Sequence, residues 1–128
     1  MAAGEVFTAD QHAELVRALD NATALAGVRF ALYVGPLPAG RATAIARHAA
    51  LPDAPDAVLV AVDTAGRIVE IVVGTHAVRA LDDQACGLAV LSMTSSFSAG
   101  DVVGGLRTGI AQLADHARRP TVWHLDQP

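Results

Sequence analysis

Residues 56–74, DAVLVAVDTAGRIVEIVVG, carry the pattern of a β-hairpin at the centre of the chain. Two apolar runs rich in valine and isoleucine flank Asp63-Thr64-Ala65-Gly66. β-Branched residues suit a pleated, buried surface. The residues between them have turn chemistry, with glycine offered for a left-handed position. The pattern predicts a type I turn closing a three-residue loop. That loop sets Asp63 opposite Arg67, Val60 opposite Glu70 and Val62 opposite Ile68. Both runs are apolar at nearly every position, as in a sheet covered by helices on both faces. Glu70 is the exception, expected as a rim carboxylate or as the partner of a nearby arginine. An antiparallel hairpin brings its outer ends together, so Asp56, Gly74, His76 and the pair Asp82-Asp83 are expected to share one edge.

Upstream, Thr8 followed by Gln11 has capping-box spacing, and Leu15, Leu19, Ala22 and Ala26 recur at helical spacing. A first helix is expected over about 9–26, ended by Gly27. Residues 28–34, VRFALYV, predict a buried strand. Gly35-Pro36-Leu37-Pro38 breaks it, a short helix follows over 41–50, and LPDAP at 51–55 is a loop by its prolines. Downstream, a short helix is expected over 76–81. A longer one is expected over about 83–96, with Cys86, Val90, Met93 and Phe97 along one face. The last helix starts beside Asp101, where a carboxylate complements the helix dipole, and buries Val102, Leu106, Ile110 and Leu113. Gly104, Gly105 and Gly109 cost helix propensity and imply close backbone packing. Arg118 and Arg119 suit its end, and Pro120 stops it. The tail TVWHLDQP either folds back on the domain or is a loose end.

Helix, strand, helix, strand, strand, helices: this order predicts one right-handed parallel crossover followed by an antiparallel hairpin. The expected fold is a three-layer α/β/α sandwich with a small mixed sheet and C-terminal helices. It forms a single domain over 1–128, with its core at about 5–117 and a tail at 120–128.

Composition narrows the function classes. The chain carries a net charge of −4 and has no lysine, its basic residues all being arginine. No basic stripe is visible, which excludes an ordinary nucleic-acid binder. No apolar run reaches the ~20 residues of a membrane span, and the first residues lack the basic and apolar regions of a signal peptide. A cytoplasmic protein is therefore expected. Cys86, the one cysteine, is expected as a small core residue.

The usual catalytic motifs are absent. Without lysine there is no P-loop. GPLPAG after the first strand lacks the donors a pyrophosphate needs, and no G-x-S-x-G elbow occurs. Cys86 has serine, not arginine, six positions on. Arg47-His48 is followed by alanine rather than the glycine of a histidine phosphatase, and the five histidines lack zinc-ligand spacing.

Taken in order, the Pro-rich break before DAVLVAVD, then RIVEIVVG, then LDD, then FSAGDVVGGLRTGI resemble the TPM domain. That domain is known from thylakoid-lumen photosystem repair proteins and many bacterial proteins. More narrowly, the chain resembles an actinobacterial group of TPM-like proteins of unknown function, over roughly 5–117. The resemblance implies an α/β sandwich with an acidic cluster at one sheet end, which in some relatives binds calcium or has been assigned acid phosphatase activity. Carried over, the cluster would involve Asp56, Asp82 or Asp83, and Asp101; a phosphatase reading takes Asp56, Asp82, Asp83 and Asp101 as metal ligands and adds His76 as acid. Four converging carboxylates would suit a hard cation such as Ca²⁺. Each also has a plainer account: Asp82, Asp83 and Asp101 stand where helix caps belong, and Asp56 opens a strand. LPDAP lacks the Trp-Gly-rich stretch common in relatives, and His76 stands where many have glycine. The expected function is accordingly a non-enzymatic TPM-like accessory domain, binding a protein partner through the 74–83 edge. The alternative is a calcium-dependent acid phosphatase.

Overall fold

Thr8 opens the first helix in the way its sequence predicts. Its hydroxyl accepts the Gln11 N–H at 3.1 Å, and the Gln11 side chain accepts the Thr8 N–H at 2.9 Å. In the computed structural model, which describes residues 7–118, helix α1 then runs Ala9–Ala26 and ends on Gly27 at φ 76°. Expectations for residues 1–6 and 119–128, including Arg119, Pro120 and the tail around Trp123, lie outside the described residues. Strand β1 (Arg29–Val34), helix α2 (Arg41–Ala49) and a single 3-10 turn (Ala54–Asp56) lead into β2 (Ala57–Asp63) and β3 (Ile68–Val73). Helices α3 (Asp83–Ser98) and α4 (Val102–Ala117) complete the domain. No described helix is long and apolar enough to cross a membrane.

The sheet order is β1-β2-β3, with β1 parallel and β3 antiparallel to β2. It is the mixed sheet expected. Side-chain alternation divides the core into two layers. Phe30, Val58, Val60, Val62 and Ile71 pack with α1, α3 and α4, whereas Leu59, Ala61 and Val72 pack with Leu37 and Ala44 on the α2 side. Every residue of β2 is buried, as a central strand covered on both faces must be.

Two local expectations are corrected. The hairpin pairs Asp63 with Ile68, Val62 with Val69 and Ala61 with Glu70, one residue away from the predicted register. The left-handed residue is Arg67, at φ 56°, rather than Gly66. The Asp63 carboxylate explains the difference. It accepts the Gly66 N–H at 3.0 Å, and a Cβ on Gly66 would lie 3.0 Å from a carboxylate oxygen. Glycine stands there to admit a side chain, not to supply a positive φ. The slip moves Glu70 onto the α2 side of the sheet. The second correction is residues 76–81, which form successive turns instead of a helix.

Candidate functional site

The 54–57 and 74–77 segments clasp each other at the outer end of the hairpin. Gly74 donates its N–H to Ala57 O and His76 donates its N–H to Pro55 O, both at 2.8 Å. A Cβ on Gly74 would press into the backbone carbonyls of Ala54 and Pro55. This closeness brings Asp56 Oδ1 to 2.9 Å from His76 Nδ1, joining two of the residues expected on one edge. Both side chains are about two-thirds exposed. Among the described residues the His76 ring has no other hydrogen-bond partner, so no nucleophile is poised against it.

The remaining carboxylates have separate work. Asp82 caps α3, accepting the Ala85 N–H at 2.9 Å, and Asp83 occupies its first turn. Asp101 caps α4, accepting the Gly104 N–H at 2.9 Å. Gly104 makes room for that carboxylate, because a Cβ there would strike it. Between Asp82 and Asp101 lies the whole of α3, 16 residues and therefore about 24 Å of helix. The expected convergence of Asp56, Asp82, Asp83 and Asp101 is thus corrected: Asp101 sits at the other end of α3. No group of three or more His, Cys, Asp or Glu among the described residues is placed to hold a metal ion. Calcium asks for six to eight oxygens in one place, and as a shared four-carboxylate site these positions do not fit it.

The feature that sequence reasoning missed is beside that edge. β3 is an edge strand, and its hydrogen-bonding pattern follows from the Gly74 N–H to Ala57 O bond. In an antiparallel pair, alternate residues bond across the ladder. Val72 and Glu70 therefore bond to β2, while Val69, Ile71 and Val73 turn their N–H and C=O groups outward. Arg41 Nη1 approaches from this open side, donating to Ile71 O at 3.3 Å and to Glu70 Oε1 at 3.0 Å. Glu70 thus has the arginine partner that was one of its two expected roles.

An open groove of about 750 Å³ runs along this edge, walled on the other side by Val78, Leu81, Cys86 and Val90. Asp82 and Asp83 line it as well. Cys86 is half-buried and packs against the main core, as expected, while one side faces the groove. Burial raises its thiol pKa, and the nearby carboxylates of Asp83 and Asp82 raise it further. One signal in the sequence marks the helix wall: from Gln84 to Gly100 no residue is charged, yet Leu88 and Leu91 are 51% and 66% exposed. A surface helix normally carries charge on its outer face.

A family model described as "Domain of unknown function (DUF5130)" matches residues 2–114. Among solved structures, the chain is similar to the NMR structure of BA42 protein from the psychrophilic bacterium Bizionia argentinensis sp. nov., with a TM-score of 0.69 and 14% identity. The likeness covers 88% of this chain and 82% of that one, and at this identity it concerns the fold alone. Among curated proteins, none matches.

Proposed function

The chain belongs to the DUF5130 family, and on that premise we propose that it is a non-enzymatic, TPM-like accessory domain that docks a protein partner along the groove between β3 and α3. The open edge of β3 carries this reading. Strand edges expose unpaired donors and acceptors that recruit another extended chain. Here three residues present such groups beside an apolar wall, with Arg41 touching only the central carbonyl. The docking surface adjoins the 74–83 segment, where Val78, Leu81, Asp82 and Asp83 line the groove. Catalysis has less support: the Asp56–His76 pair is exposed and has no nucleophile, and a phosphatase would need carboxylates that α3 keeps apart.

Backbone amide NMR, titrated separately with calcium chloride and with a mixture of blocked extended heptapeptides, tests the reading. Docking predicts peptide-induced shifts concentrated at Val69, Ile71, Val73, Cys86 and Val90. Shifts confined to calcium, centred on residues 56 and 82–83, would overturn it in favour of a metal site.

A further inference from the structure

The groove is not chemically uniform along its length. α3 begins near the Val73 end of β3 and returns past it toward the hairpin turn, where its last residues meet Thr64 and Arg67. Asp82 and Asp83 therefore stand at the Val73 end, while Val90 faces the Val69 end. The two ends of this stretch are four residues apart, about 13 Å of strand. Its charged lining consists of Glu70, Asp82, Asp83 and Arg41, and Arg41 is already engaged by Glu70. Asp82 holds the helix cap, and Asp83 makes no hydrogen bond through its side chain among the described residues. The acidic end thus has charge left to satisfy.

We propose that the occupant is an extended segment of a partner protein that adds a fourth strand to the sheet, antiparallel to β3, with a basic residue opposite Val73 and apolar residues opposite Ile71 and Val69. This proposal rests on the docking reading and assigns the partner its chemistry. Residues directly opposite one another in a sheet share a face. Side chains opposite Val69, Ile71 and Val73 therefore project toward the far wall of the groove, which Val78 and Leu81 of the turns before α3 and Cys86 and Val90 of α3 make apolar and where Asp82 and Asp83 at the start of the helix add charge. The intervening residues project toward Arg41 and Glu70 and are polar. The basic–polar–apolar–polar–apolar pattern follows from the groove's two ends and the two-residue period of a strand. An antiparallel chain gains the stronger of the two ladder geometries. A second copy of this chain is disfavoured by charge: antiparallel pairing of two β3 edges sets the acidic end of each beside the Val69 end of the other, and the one cation lining the groove among the described residues, Arg41, is already engaged by Glu70.

The test uses the whole chain and two blocked peptides, Ac-TRTVTVT-NH2 and the same peptide with glutamate for arginine. Affinity is read by calorimetry and position by amide shifts. The basic peptide is expected to bind roughly five- to tenfold more tightly than the acidic one, as a few partly screened charge contacts allow. Asp83→Asn is expected to shrink that ratio while leaving shifts at Val69, Ile71 and Val73 in place. Equal affinities with those shifts retained would overturn the basic specificity but leave strand docking intact. No shifts along β3 with either peptide would overturn both. Self-association that uses β3 and excludes the peptides would make a second copy the occupant and overturn the proposal.

Discussion

Asp63 shows how a single side chain can set a turn. It is nearly enclosed at the end of β2, and its two oxygens accept the Leu37 N–H and the Gly66 N–H, both at 3.0 Å. The carboxylate thereby ties the hairpin to the loop after β1. These donors, the Leu37 N–H foremost, hold its carboxyl below the ordinary value of 3.8. A depressed carboxyl favours the folded state above the unfolded value, near 3.9, and that contribution is lost as pH falls through the lower folded value. The urea midpoint is therefore expected to fall as pH drops below about 4. Asp63→Asn is expected to lower the midpoint at neutral pH and to flatten its decline in the acid range. Asp53, held low by its hydrogen bond from Arg29, leaves part of the slope in place. Identical slopes for the two proteins would remove Asp63 from the account.

At the scale of elements, the glycines of the last two helices separate by what surrounds them. A Cβ on Gly105 would lie 2.7 Å from the Ser96 Cβ and 2.9 Å from the Phe97 ring, so α4 packs against α3 through the missing side chain. On α3 itself, Gly87 has nothing within 4 Å of its absent Cβ. Gly105→Ala is expected to destabilise by about 1–3 kcal/mol net, the cost of overpacking a tight interface. Gly87→Ala is expected to stabilise by about 1 kcal/mol, the helix propensity regained. Thermal unfolding of both variants measures the contrast, and a shift of the same sign in both would contradict it. Local chemistry explains why the helices were legible: Thr8 and Gln11, Gly27, Asp82 and Asp101 all signal ends through residues within one turn. The hairpin register was not, because β2 is buried on both faces and its apolar pattern has no alternation to fix a pairing. The one-residue difference turns on Asp63, whose carboxylate binds Gly66 inside the turn and also holds Leu37, 26 residues away in sequence.

For the whole molecule, strand order and layering could be read from the succession of elements, since a strand–helix–strand crossover and a tight hairpin leave few arrangements. The site was less legible. Asp56 and His76 do meet, because the hairpin's ends must meet. Asp101 does not join them, because the length of α3 carries it away. The β3 edge came from neither spacing nor motif: Arg41 and Ile71 are distant in sequence, and which amides face outward depends on the register. Docking rests on that open edge, and hydrogen exchange at Val69, Ile71 and Val73 reads it residue by residue. These three amides are expected to exchange rapidly in the free protein while those of Glu70 and Val72 are protected, and saturating Ac-TRTVTVT-NH2 is expected to slow all three. Rapid exchange persisting at the three positions in the peptide-saturated protein would contradict it.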